Sequence, residues 1–250
     1  VYDGAPLSKD KYTVEHSDGE TPRGLLEGHT LTLSLKEEII NVGSTPNAVT
    51  DLRIVDADGK DVTDNYTPEY QCGTLEITPR HVWISSGTSE RVYDGTPLKN
   101  GAVDIEPCNA DNTRGLVSGH RYDVALNKSI TDVGSIRNEF DYVIIKDADG
   151  NDVTYNYAII PHEGTLTVYP IELKIVTQGA EKFYDGTPLT NDKYDVTVLN
   201  ATDFVAGHRI IVQVIGSQTI VGSSPNVIDE SGVKVLDADG NDVTKNYRIS

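Results

Sequence analysis

One pattern of short motifs runs along this chain three times in the same order, so any fold proposed for it must be a fold that repeats. Tyr-Asp-Gly begins at Tyr2, Tyr93 and Tyr184, 91 residues apart each time. Each is followed by Pro-Leu, at Pro6-Leu7, Pro97-Leu98 and Pro188-Leu189. Gly-His follows at His29, His120 and His208, then Val-Gly-Ser at Val42, Val133 and Val221, with Asn47, Asn138 and Asn226 beyond it. Next comes Asp-Ala-Asp-Gly-x-Asp-Val-Thr from Asp56, Asp147 and Asp237, then Asn-Tyr at Tyr66, Tyr157 and Tyr247. Gly-Thr-Leu closes two of the copies, at Gly73 and Gly164.

The spacing predicts three domains: 1–79, 80–169 and 170–250. An apolar alternating segment precedes Tyr93 (His81-Val82-Trp83-Ile84) and Tyr184 (Leu173-Lys174-Ile175-Val176), and none precedes Tyr2. No Gly-Thr-Leu follows Tyr247. The first copy is therefore expected to lack its opening strand and the third its closing strand, as in a piece of a longer array. The absence of methionine agrees with that expectation. Such a piece would carry open sheet edges, or borrow strands from a neighbouring chain.

Composition favours strands. Thirteen Tyr accompany many Val, Ile and Thr, and 22 Gly and 11 Pro fall in short clusters, as turns between short strands do. No stretch carries a capped helical stripe. The middle copy reads as seven strands, near 81–86, 89–93, 101–106, 120–127, 140–146, 152–159 and 165–169. Seven short strands in about 90 residues describe an immunoglobulin-like sandwich. The expected fold class is all-β: three tandem immunoglobulin-like β-sandwich modules in an elongated array. The segments joining them, Thr78-Pro79 and Pro170, are too short to be linkers, and proline narrows their conformations further.

Charge excludes several partners. The net charge is −18, from 39 acidic and 21 basic residues. Phosphate binding needs clustered Lys and Arg, so nucleic acid and an anionic membrane surface are not expected. No transmembrane stretch or sorting signal is present. Cys72 and Cys108 occupy non-equivalent places in their copies, so free thiols are expected rather than a disulfide framework or a zinc site.

No catalytic, cofactor-binding or metal-binding residue is predicted. The Asp-Ala-Asp-Gly segment invites a Ca²⁺ reading through Asp56, Asp58 and Asp61 and their counterparts. Its glycine is fourth rather than sixth, however, and no Glu stands twelfth. A type I′ hairpin turn on Asp-Gly is the preferred reading. His29, His120 and His208 lack a partner ligand in register and are expected to bond backbone at a strand edge. Tyr66, Tyr157 and Tyr247 are expected to form tyrosine corners, each bonding nearby backbone, and Tyr2, Tyr93 and Tyr184 to be structural as well. Asn65, Asn156 and Asn246 stand where a Lys–Asn isopeptide could form if a lysine reached them. No nucleophile elbow, metalloprotease helix or phosphate loop occurs, so the chain is not expected to be an enzyme.

The copies differ mainly in loops. From Tyr-Asp-Gly to Gly-His the spacing is 26, 26 and 23 residues, across 15–26, 106–117 and 199–205. Loops on a rigid scaffold tolerate such change and carry binding where there is any.

Taken together, Tyr-Asp-Gly-Thr-Pro-Leu, Gly-His, Val-Gly-Ser-x-x-Asn, Asp-x-Asp-Gly-Asn-Asp-Val-Thr-x-Asn-Tyr and Gly-Thr-Leu-Thr-Val resemble the Tyr-Asp-Gly/MBG-type immunoglobulin-like repeats of large bacterial cell-surface, adhesin-like proteins. The resemblance covers the whole chain. It implies an extracellular, cell-wall or cell-surface location and a non-catalytic role. That role is a semi-rigid stalk presenting a distal domain, or alternatively an adhesive module whose loops recognise host protein or glycan. It implies no catalytic residue. A monomer in solution is expected.

Overall fold

The computed structural model describes residues 1–36, 38–201 and 203–250. The described residues contain short strands and four 3-10 turns and no α-helix. The first copy contributes β1 (Thr30–Leu35), β2 (Gly43–Pro46), β3 (Val49–Val55) and β4 (Thr74–Ile77). The middle copy contributes β5 (Arg80–Ser86), β6 (Ser89–Val92), β7 (Val103–Ile105), β8 (Arg121–Ala125), β9 (Gly134–Arg137), β10 (Tyr142–Lys146), β11 (Tyr157–His162) and β12 (Thr165–Tyr169). The third contributes β13 (Ile171–Thr177), β14 (Tyr194–Val198), β15 (Arg209–Ile211), β16 (Lys234–Leu236) and β17 (Tyr247–Ile249). Only Thr78-Pro79 separates β4 from β5, and only Pro170 separates β12 from β13, which is the junction the proline positions predict.

Two compact units form. The first comprises Val1–Ile84, Asp104–Val124 and Val143–Pro161, the second Ser85–Val103, Ala125–Tyr142 and His162–Ser250. In the first, β1 pairs antiparallel with β3 and β2 antiparallel with β4. Its core joins Tyr2 and Ile77 of the first copy to Val82, Val117, Ile145, Val153 and Tyr157 of the middle copy. In the second, β12 lies between β6 (parallel) and β9 (antiparallel), and β13 between β14 (antiparallel) and β17 (parallel). Its core joins Tyr93, Leu98, Leu166 and Val168 of the middle copy to Ile171, Leu173, Val235 and Tyr247 of the third. Two further sheets, in orders β10-β8 and β11-β5-β7, belong to the middle copy. Each core thus draws on two consecutive copies. Each fully buried Leu, Ile or Val stabilises its unit by about 1.5–3 kcal/mol, so that stabilisation depends on both copies being in place.

Three local expectations need correction. The middle copy has eight strands, because Gly134–Arg137 is a strand; its Gly-Ser opening reads as a turn in sequence. The expected strand at 152–159 begins with a single bridge, Lys146 to Asp152, and a 3-10 turn at Thr154–Asn156 before β11 starts. Finally, the Asp-Gly turn is not type I′. Gly150 N–H donates to Asp147 O at 3.1 Å and Asp147 N–H to Asn151 O at 3.0 Å. Gly150 has φ +89°, while Asn112 is the sole described non-glycine residue with positive φ. This is a type I turn followed by a left-handed glycine, the three-residue hairpin with a bulge.

Candidate functional site

The recurring motifs meet one another in space. In each copy the Asn-Tyr tyrosine reaches the Gly-His histidine: Tyr66 Oη lies 2.8 Å from His29 Nδ1, Tyr157 Oη 2.8 Å from His120 Nδ1, and Tyr247 Oη 2.7 Å from His208 Nδ1. The same oxygen accepts a backbone N–H just before Gly-His, from Leu26 at 3.3 Å in the first copy and Val117 at 3.2 Å in the middle one. In each pair the hydroxyl and Nδ1 share one hydrogen bond whose direction follows the imidazole tautomer. Burial favours the neutral imidazole at His120 and His208 by lowering their affinity for a proton, and it pushes Tyr157 and Tyr247 up to about 12. These tyrosines therefore bond backbone some 40 residues away rather than nearby, as a tyrosine corner would. The histidines bond tyrosine hydroxyls rather than strand-edge backbone.

The Tyr-Asp-Gly tyrosine of the preceding copy packs on this pair. The Tyr2 ring stands edge-on to Tyr157 at 5.6 Å, with His120 at 6.1 Å. Tyr93 repeats the arrangement on Tyr247 at 6.0 Å and His208 at 6.1 Å. The neighbouring asparagine completes the latch. Asn156 Oδ1 accepts from Val42 N–H at 2.8 Å, and its Nδ2 donates to Asn41 Oδ1 at 3.0 Å. Asn246 Oδ1 accepts from Val133 N–H at 2.8 Å, and its Nδ2 donates to Asp132 Oδ1 at 2.9 Å. Both asparagines are wholly buried. Their amides are engaged with Asn41 and Asp132 rather than with a lysine; Lys245 instead pairs with Asp132 at 2.8 Å. Asn65, the first-copy counterpart, is exposed.

The acidic motif works as turn chemistry. Asp147 Oδ1 accepts from the backbone N–H groups of Asp149 and Asn151, and Oδ2 from the Asn151 side chain. Asp237 does the same with Asp239 and Asn241. Asp61, Asp152 and Asp242 cap the next turn through Thr63, Thr154 and Thr244. Those threonine hydroxyls in turn accept from Ile54, Ile145 and Val235 N–H at 2.8–2.9 Å. Among the described residues no three His, Cys, Asp or Glu side chains are grouped to hold a metal ion. Cys72 and Cys108 are free thiols.

The hydrogen bonds make a pH prediction. Asn151 and Asn241 amides hold Asp147 and Asp237 below the ordinary 3.8, and Thr154 and Thr244 do so for Asp152 and Asp242. A carboxylate lowered in the native state adds stability above its unfolded value, lost as pH falls through the native one. A histidine lowered by burial acts in the same direction, but from 6.5 downwards. Melting temperature should therefore fall in two stages on acidification, first below 6.5 and again below 3.8. A His120→Gln, His208→Gln variant should lose the upper stage; an upper stage of unchanged size would refute the assignment.

One loop stands apart. Arg80 is 0% exposed, yet it faces no carboxylate in its hydrogen bonds. Its Nε donates to Gly115 O at 2.6 Å, Nη1 to Asn112 O at 2.7 Å and Tyr2 O at 3.2 Å, and Nη2 to Arg114 O at 2.7 Å and Cys108 Sγ at 3.2 Å. The guanidinium thus gathers the carbonyls of loop 106–117. Gly115 lets the loop close: it has φ +77°, and a Cβ there would lie 1.9 Å from Pro107 O. The corresponding position in the third copy, just after Pro170, is Ile171, buried in an apolar core beside the shorter loop 199–205; Thr202 of that loop lies outside the described residues.

The Arg80-anchored loop walls an open cleft of roughly 540 Å³, lined by His81, Trp83, Glu106, Thr113 and Arg114 among others. Trp83, the chain's single tryptophan, is half exposed, with the Arg114 guanidinium 5.6 Å from its ring centre. Arg114 also pairs with Glu106 at 3.1 Å. An aromatic face flanked by a cation, a carboxylate and a hydroxyl can stack a planar or sugar ring and hydrogen-bond its edge.

No family model, curated protein or solved structure matches this chain.

Sequence reasoning found both halves of the latch but not their meeting. It missed Arg80 and the cleft. The available signal was an arginine standing where the third copy has isoleucine, together with the longer loop it supports.

Proposed function

We propose that this chain is a non-catalytic, extracellular run of immunoglobulin-like β-sandwich modules from a bacterial surface protein. In this reading the modules form an elongated, semi-rigid spacer that presents a distal functional domain. The latch carries the proposal: Tyr2 on Tyr157 and His120 in one unit, Tyr93 on Tyr247 and His208 in the other. A buried contact of fixed geometry between consecutive copies, added to a proline junction, restricts bending in a way a flexible linker cannot. The near-constant period and acidic surface agree with it. Small-angle scattering should give a rod whose longest dimension is on the order of 100 Å, from strand rise and three modules in line. The profile of a compact globule would reject the spacer.

The Trp83 cleft favours a second reading, recognition of host glycan or protein by loop 106–117. A glycan and matrix-protein array separates the two. Binding through that cleft supports recognition, and no binding leaves the spacer.

A further inference from the structure

The differences between the middle and third copies gather on one surface, the solvent-facing side of β5. In the third copy the corresponding strand, β13, carries Glu172 and Lys174 there. Arg248 of β17 stands opposite Glu172 in the pairing and spans the face with a salt bridge to it. The same positions in the middle copy are His81, Trp83 and Ala158. Alanine is too short to span the face, so the surface between β5 and its neighbour β11 stays open as part of the Trp83 cleft. The longer loop 106–117, gathered by Arg80, supplies the other wall. An aromatic ring in place of lysine, alanine in place of arginine and a longer, braced loop all change this surface in one direction, toward an open site with a flat apolar floor.

The polar groups of the cleft are fixed to β5. Glu106 N–H donates to Trp83 O at 2.9 Å, and Trp83 N–H donates to Glu106 Oε2 at 3.4 Å. Gly115 N–H donates to His81 O at 2.8 Å. The other carboxylate oxygen of Glu106 pairs with Arg114 Nε at 3.1 Å. The Arg114 guanidinium lies 5.6 Å from the centre of the Trp83 ring, and 48% of Trp83 is still exposed. Carboxylate and guanidinium side by side present an acceptor and a donor with no net charge. Neighbouring sugar hydroxyls match that pair, because each can donate to Glu106 or accept from Arg114. The C–H face of the same pyranose ring would cover the exposed indole. An anion, by contrast, would have to separate Arg114 from Glu106 and approach a chain of net charge −18. A cation would meet Arg114.

We propose that the Trp83 cleft is a binding site for an uncharged glycan, with one pyranose ring stacked on Trp83 and its adjacent hydroxyls held by Glu106 and Arg114. The proposal rests on the reading of this cleft as a recognition site and narrows it to one ligand class. It places the site in the middle copy alone, since the third copy has Lys174 and the Arg248–Glu172 pair at the same place.

Trp83 is the chain's single tryptophan, so its fluorescence reports this site directly. The intact chain is titrated with lactose, cellobiose, maltose and chitobiose, and with sialyllactose as the anionic comparison; calorimetry gives a second readout. The expected result is a saturable change in Trp83 emission with at least one uncharged sugar, at an affinity that salt does not alter. By calorimetry Trp83→Ala should bind that sugar roughly tenfold weaker or worse, as loss of a central aromatic anchor does. Trp83→Tyr keeps a ring and should bind more tightly than Trp83→Ala; if Trp83→Ala fails to fold, the fluorescence titration of the parent chain and the calorimetry of Trp83→Tyr decide. Binding of sialyllactose or a matrix protein only, lost in Trp83→Ala, would overturn the uncharged-glycan assignment and leave recognition at the cleft standing. No binding of any of these at millimolar sugar, or binding that Trp83→Ala leaves intact, would overturn both.

Discussion

Replacing Arg80 with alanine should destabilise the first unit by about 3 kcal/mol or more. The cost comes from what is left behind. Four carbonyls, of Tyr2, Asn112, Arg114 and Gly115, and the Cys108 sulfur lose a donor that is itself wholly buried. Water can replace some of those bonds only by opening loop 106–117. Hydrogen exchange should therefore quicken across 107–116 before the rest of the unit unfolds, and the urea midpoint should drop. Arg80→Ile is informative beside it. Isoleucine fills the corresponding place at Ile171, but there no long loop of inward carbonyls needs a donor. Arg80→Ile should thus remain strongly destabilising, and shortening loop 106–117 to the third copy's length should recover much of the loss. A midpoint change within about 0.5 kcal/mol for Arg80→Ala, the range of an ordinary surface substitution, would contradict the account.

The second large effect is a contrast between identical changes at identical motif positions. Tyr93→Ala removes a ring that is 6% exposed and stands against Tyr247 and His208. Deleting a buried aromatic costs about 3–5 kcal/mol through lost transfer energy and the cavity left. Tyr184→Ala removes a ring that is 69% exposed, and should fall within about 0.5 kcal/mol of the parent. Thermal or urea unfolding of the two variants side by side measures the difference. Equal effects would mean that the latch does not contribute the stability assigned to it.

Several expectations from the sequence agree with the structure for reasons visible in particular residues. Alternation at Thr165-Leu166-Thr167-Val168 puts two apolar side chains on one face, and β12 buries both of them. Pro79 and Pro170 sit between strands as predicted. The Asp-Ala-Asp-Gly segment is a hairpin turn, but of another type, because Asp147 accepts the N–H groups of Asp149 and Asn151 and leaves only Gly150 left-handed. The strand at Gly134–Arg137 was not legible, since four residues opening on Gly-Ser carry too little alternation to stand out.

What the sequence determined by itself was local and periodic. The repeat, the all-β class, the turns and the proline junctions are written in residues close together in the chain, where backbone preference and alternation act directly. The tertiary structure decided which distant residues share a core. Tyr2 meets Tyr157, Tyr93 meets Tyr247, and Asn246 reaches Asp132; no periodicity encodes these pairings, because each depends on a neighbouring copy closing over the motif. The same motif tyrosine is therefore buried at positions 2 and 93 and open at 184. Burial is a property of what lies against a side chain, and the identity of the side chain alone cannot specify it.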